Sequence, residues 1–223
     1  MIHTNSDCFY KDYCVLFATE ECSSSCIKFL EMNNLLAKSN IPERLQKPIK
    51  LIAPEEDRQA FDYLTKYAQN MKTHVENGRN MVLYSPNTGN GKTSWAIKLM
   101  INYFSQIWNG NGFRTRGIFV HVPTYILKKK NSISEHSEEF SEWEKKLSLV
   151  DLIVLDDLGT NKMTEYDISL LTSIIDCRII NGKSTIVTTN CNKQELTSIL
   201  GARIADRIYN TSVTVQFKSK SKR

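Results

Sequence analysis

Apolar positions along the chain keep switching between two spacings. From residue 55 the positions Phe61, Leu64, Tyr67, Ala68, Met71 and Val75 recur at helical intervals, and Gly78 stands where a C-terminal cap belongs. A short apolar run, Met81 to Tyr84, then ends at Ser85-Pro86. After a turn, helical spacing resumes through Ala96, Leu99, Met100, Tyr103, Phe104 and Ile107. That order reads strand, loop, helix. Further strands are expected at 117–122, stopped by Pro123, and at 149–155, 185–189 and 213–217. Helices fill the gaps, among them Glu165–Ile180 and one opened by Asn192-Lys193-Gln194-Glu195, which has capping-box spacing. Strands alternating with helices predict an α/β fold with a mainly parallel five-stranded sheet sandwiched by helices.

The first 54 residues do not share this pattern. Pro42, Pro48 and Pro54 interrupt helix, so residues 41–54 read as a linker between a small module, 1–40, and the main domain, 55–223. A chain of 223 residues holds one ordinary core plus such an appendage, not two catalytic domains. No apolar run approaches the roughly 20 residues that cross a bilayer, and residues 1–8 lack a signal pattern; a soluble, cytoplasmic protein with no membrane partner is expected. Four of the six cysteines, Cys8, Cys14, Cys22 and Cys26, crowd the small module, where they suit thiols or metal ligands better than disulfides. The formal charge of +5 is uneven: residues 1–54 carry six Lys/Arg against six Asp/Glu, and residues 55–223 carry 23 against 18. An excess in the main domain suits a polyanionic partner, although a solubilising surface accounts for it equally well. The closing Lys218-Ser219-Lys220-Ser221-Lys222-Arg223 reads by itself as a frayed basic tail.

The residues with chemistry sit at the strand ends. Pro86-Asn87-Thr88-Gly89-Asn90-Gly91-Lys92-Thr93-Ser94 follows a strand and opens a helix, matching a P-loop except that Pro86 replaces the first glycine. Gly89 and Gly91 let backbone N–H groups curl around a phosphate at the positive end of the helix, Lys92 reaches the β- and γ-phosphates, and the Thr93 hydroxyl is a ligand for Mg²⁺. An apolar strand ending in Asp156-Asp157 supplies the facing acids, Asp156 to orient the metal and Asp157 to polarise water. Asn190, closing Thr188-Thr189-Asn190, is placed to bond a γ-phosphate or the attacking water. Arg203 and Arg207 lie four apart on one helical face and carry forks suited to phosphate, unless Asp206 takes a nearby base as an ion-pair partner.

These elements in this order resemble DnaC/DnaI-type helicase loaders of the AAA+ ATPases, including phage-encoded relatives, over residues 41–223. The motifs carrying the resemblance are LDDLG at 155–159, TTN at 188–190, GxRIxDRI at 201–208 and the final Phe217, Ser221 and Arg223. It implies an ATPase working on ATP with Mg²⁺, slow or stimulated by a partner. Asn190 is then sensor 1, Arg203 (or else Arg207) the arginine finger, and Arg223 a second sensor, although Lys222 stands where an aromatic is common. It also implies a hexameric replicative helicase as partner through the small module, self-association in the ATP state, and single-stranded DNA. Arg114, Arg116 and Lys128-Lys129-Lys130 are the candidate DNA contacts, with Tyr125 as a stacking neighbour. Zinc on Cys8, Cys14, Cys22 and Cys26, with His3 in reserve, follows from the same resemblance; Cys177 and Cys191 read as packing residues. An IstB-like transposition helper shares the ATPase motifs, and a small-molecule P-loop kinase shares the P-loop alone.

Overall fold

A computed structural model describes residues 8–12, 14–47, 50–107, 113–135 and 138–220. Five strands, β1 Asn80–Tyr84, β2 Gly117–His121, β3 Leu152–Leu158, β4 Ser184–Thr189 and β5 Ser212–Gln216, form one sheet in the order β2-β3-β4-β1-β5. Every neighbouring pair is parallel. The helices are α1 Ile27–Ala37, α2 Arg58–Ala68, α3 Met71–Glu76, α4 Lys92–Gln106, α5 Val122–Glu135, α6 Glu138–Leu149, α7 Glu165–Ile180, α8 Lys193–Leu200 and α9 Ala202–Asn210. Among the described residues no helix is long and apolar enough to cross a membrane.

Successive strand residues point to opposite faces, so a strand covered on both sides must be apolar throughout. Met81 and Leu83 of β1 join Trp95, Leu99 and Phe104 of α4 in one buried cluster. Val82, between them in sequence, belongs to the other, with Leu171 and Ile175 of α7 and Leu196 of α8. The first cluster also takes in Tyr10, Met32, Leu35, Leu36 and Ile41, so the described part of the amino-terminal stretch packs against the same face as α4. The N–H of Phe119 donates to the Ser39 carbonyl at 2.7 Å, which occupies part of the open edge of β2.

Three element boundaries differ from the sequence pattern. The helix expected across 55–78 breaks at Gln69-Asn70, because Gln106 of α4 inserts into the break. Its side-chain amide donates to the Ala68 carbonyl and accepts from the Lys72 N–H, both at 2.8 Å, satisfying the two groups a continuous helix would have paired. Pro123 opens α5 instead of merely ending β2; early in a helix its missing N–H costs nothing. The third strand starts at Leu152, since α6 runs on to an exposed Leu149, and it extends through both acids.

The carboxy-terminal segment is tied down as far as Ser219. The Phe217 N–H continues the sheet by donating to Tyr84 O at 2.9 Å. Asp57, only 1% exposed, accepts the N–H groups of Lys218 and Ser219 at 2.6 and 3.2 Å and also the Ser219 hydroxyl. The expected fraying is therefore corrected for these residues, while Ser221, Lys222 and Arg223 lie outside the described residues. Removing three hydrogen bonds to one buried carboxylate should cost roughly 3 kcal/mol. Asp57→Ala is expected to lower the melting temperature by about 6–12 °C, and an unchanged thermal transition would show that the latch contributes nothing.

Candidate nucleotide site

The turn after β1 is shaped by two left-handed residues, Gly89 at φ 70° and Gly91 at φ 96°. A Cβ on Gly91 would meet nothing within 4 Å, so the requirement there is conformational, not steric. Pro86, whose ring holds φ near −65°, is not among the left-handed positions, which is why a proline is tolerated where the P-loop pattern has its first glycine. Gly91 caps α4, so the first turn of that helix, with its unpaired N–H groups and positive dipole end, points into the turn.

Lys92 is buried, and its ammonium donates to the Asn87 carbonyl at 2.9 Å and to Asn90 Oδ1 at 3.2 Å. Burial lowers its pKa, opposed by the charges of Asp157 and Asp156. Asn90 is held in turn by its amide donating to Ser85 Oγ at 2.5 Å. The Asn87 amide donates to the carbonyls of Lys218 and Ser219 at 3.2 and 3.1 Å, linking the loop to the latched tail.

Across the turn, Asp156 Oδ1 accepts the hydroxyls of Thr93 at 2.8 Å and Thr188 at 2.7 Å. Burial raises the Asp156 carboxyl pKa, the two hydroxyls working against it. Asp157 adopts φ 58°, an uncommon conformation for a side-chain-bearing residue, at the point where the β3–β4 register shifts between Leu155 and Leu158. Its N–H donates to Thr188 Oγ1 at 3.0 Å, so one threonine ties down both acids. The twist turns the Asp157 side chain into a concavity of about 570 Å³, which Thr88, Gly91, Lys92, Thr93, Ser94 and Asn190 also line. Asn190 Oδ1 is buried there without a hydrogen-bond partner.

His121 is the site residue that the sequence pattern missed. It ends β2 in register with Asp156, and its Nε2 lies 3.5 Å from Asp157 Oδ2 while Nδ1 pairs with Thr124 Oγ1 at 2.7 Å. Its one signal was a polar residue closing the apolar run Gly117–His121. Among the described residues, His121, Asp156 and Asp157 are the group of three whose possible ligand atoms converge, all within 4.8 Å of one another. The hydroxyl of Thr93 beside the Asp156 carboxylate is a pair of hard oxygen donors, which fits Mg²⁺.

Other candidate residues lie apart from this site. Arg203, 73% exposed, does not line the concavity; it reaches Asp176 of α7 at 3.4 Å, and Arg207 pairs with the same carboxylate. Asp206 forms the expected ion pair with a nearby base, Lys193 at 2.8 Å, while both arginines use Asp176. Tyr125 is corrected as a stacking residue: it is 3% exposed, packs against Phe140 and Trp143, and donates its hydroxyl to Glu144 at 2.6 Å. Lys129 pairs with Glu144 and Lys130 with Asp167. Arg223 and His3 fall outside the described residues. Cys8, Cys14, Cys22 and Cys26 are all free thiols, and burial followed by the other three raises the Cys8 pKa. They share a neighbourhood, but the convergent ligand set among the described residues is the one at His121.

The fold is of the AAA+ P-loop type, an all-parallel sheet with the β1–α4 turn facing the acids of β3. The family model of the IstB-like ATP binding protein matches residues 49–223, and the chain belongs to that family. The replicative helicase loader DnaC of Escherichia coli K12 is 37% identical over 62 residues, 28% of this chain and 25% of that protein. The chain thus matches about a quarter of that relative's length. DnaC of Buchnera aphidicola subsp. Schizaphis graminum is 25% identical over 189 residues, covering 81% of this chain and 71% of the relative. The crystal structure of DnaI superposes with a TM-score of 0.65 at 17% identity, covering 85% of this chain and all of that one.

Proposed function

We propose that this chain is an ATP-dependent loader that places a hexameric replicative helicase on single-stranded DNA. The observation that carries the nucleotide part is the Thr93–Asp156 hydrogen bond of 2.8 Å joining the P-loop to β3, with Lys92 and Asn190 on the same concavity. The likeness to DnaC of E. coli and Buchnera supports the loading part.

In this reading Asn87 to Ser94 wrap the phosphates, Lys92 exchanges its loop carbonyl for phosphate oxygens, and Thr93 and Asp156 hold Mg²⁺. Held by these residues, the ion would neutralise charge on the phosphates. Asp157, turned inward by its left-handed backbone, accepts a proton from water, and Asn190 Oδ1 orients that water. Arg203 faces solvent away from its own concavity, so its fork is available to the nucleotide of a second copy in an ATP-dependent assembly. Arg223 as a second sensor belongs to the same reading.

The family model favours one second reading, an IstB-like helper of transposition assembling on duplex DNA. The test is co-purification of the full chain with a candidate hexameric replicative helicase, with and without ATP. Stoichiometric, nucleotide-sensitive association supports the loader; no association in either state, together with preference for duplex DNA, supports the helper.

A further inference from the structure

Strand β4 lies at the centre of the sheet, and all of its residues are buried. Its pairing with β1 is regular, from Met81 with Ile186 to Tyr84 with Thr189. Against β3 it is not. Leu155 pairs with Val187 and Leu158 with Thr189, so Asp156 and Asp157 together face the single residue Thr188. Two residues opposite one make a β-bulge, which re-aims a side chain while giving up ladder hydrogen bonds. Here the bulge coincides with the left-handed backbone of Asp157, at φ 58°.

What the ladder gives up, a side chain replaces. Thr188 is fully buried, and its O–H donates to Asp156 Oδ1 at 2.7 Å while the same oxygen accepts the Asp157 N–H at 3.0 Å. A hydroxyl donates and accepts at once, whereas valine, of the same shape, can do neither. The two contacts differ in weight: Asp156 keeps a second donor, Thr93 at 2.8 Å, but the Asp157 N–H depends on the Thr188 oxygen.

Thr189 completes the arrangement. Its hydroxyl donates to the Leu158 carbonyl at 2.7 Å, closing the far side of the bulge, and accepts the Cys191 N–H at 3.0 Å, holding the turn that carries Asn190. Both acids and Asn190 are thereby set in place by consecutive residues of one strand end.

We infer that Thr188 is a positioning residue for hydrolysis, its hydroxyl fixing the bulge that aims Asp157 into the nucleotide concavity. The inference rests on the reading of Asp157 as the group that takes a proton from water. Thr188 does not line the concavity, so it acts through the two acids. The phosphate contacts belong to the β1–α4 turn, which leaves nucleotide affinity independent of this hydroxyl.

The test is steady-state phosphate release and equilibrium ATP binding by the full chain, concentrated enough to assemble, for the parent, Thr188→Val, Thr188→Ala and Thr188→Ser. Without the hydroxyl Asp157 loses its inward pose, and kcat is expected to fall roughly 10- to 100-fold, the loss that a misplacement of about 1 Å brings. KM and ATP affinity should stay within about threefold, the signature of an interaction that counts in the transition state and not in ground-state binding. Thr188→Ser keeps both donor and acceptor and should recover at least about a third of the parental kcat. Thr188→Ala removes the hydroxyl without adding a methyl group and is expected to show the same loss, which keeps the question decidable if the valine variant does not fold. Parental kcat in folded Thr188→Val or Thr188→Ala overturns the role. Equal losses in the serine and valine variants overturn it too, and so does a parallel loss of affinity and kcat, which marks general damage to the site. None of these outcomes touches the reading of Asp157. That reading fails separately, if Asp157→Ala turns over at the parental rate or the parent shows no turnover, and the role of Thr188 falls with it.

Discussion

Lys92→Ala is expected to abolish measurable ATP and ADP binding while leaving the chain folded. The ammonium is buried within the loop and held by Asn87 O and Asn90 Oδ1, so it is positioned before any phosphate arrives. Its contribution to the bound state is a set of charge-assisted hydrogen bonds in a partly desolvated turn, worth roughly 3 kcal/mol, or about two decades in Kd. The side chain packs no core and its burial is a cost to the free protein, which is why stability should change little. Equilibrium binding of a fluorescent ATP analogue measures the loss, and circular dichroism checks the fold. Retention of parental affinity would remove Lys92 from the site.

Arg203→Ala should separate binding from turnover. The residue lies outside the concavity of its own chain, so nucleotide affinity should stay within about twofold, whereas an arginine supplied in trans contributes on the order of 10³-fold or more to kcat. Steady-state phosphate release at saturating ATP, with protein concentrated enough to assemble, is the relevant assay. Arg207 shares the Asp176 carboxylate with Arg203, so the parallel Arg207→Ala variant identifies which of the two crosses to a neighbour. If Arg203→Ala turns over at the parental rate and Arg207→Ala does not, the roles are exchanged; if neither changes, hydrolysis does not use this helix.

What the sequence revealed of the site was local. Gly89 and Gly91 are required by backbone angles within the turn itself, and Asn192 with Glu195 forms the capping box its spacing predicts. Other features depend on neighbours distant in sequence. Asp156 and Asp157 read as following a strand, yet β3 carries both, because its flanking strands β2 and β4 extend pairing and Thr188 supplies the hydroxyl that lets Asp156 be buried. His121 becomes a site residue through parallel register with Asp156, which no spacing within its own segment encodes. Gln106 breaks one helix from another, and Arg178 is a charge buried in the last turn of an apolar helical pattern, solvated by carbonyls of three other segments. The aromatic Tyr125 beside three lysines read as a surface pattern until Glu144 of α6 claimed its hydroxyl.

Loading by this chain requires a magnesium-bound nucleotide in the concavity between the β1–α4 turn and β3. Isothermal titration calorimetry of the pure, folded chain with ATP and Mg²⁺ tests it most directly. A saturable transition at one nucleotide per chain, absent in Lys92→Ala, is the predicted result. No heat with ATP or ADP, with or without Mg²⁺, would contradict it.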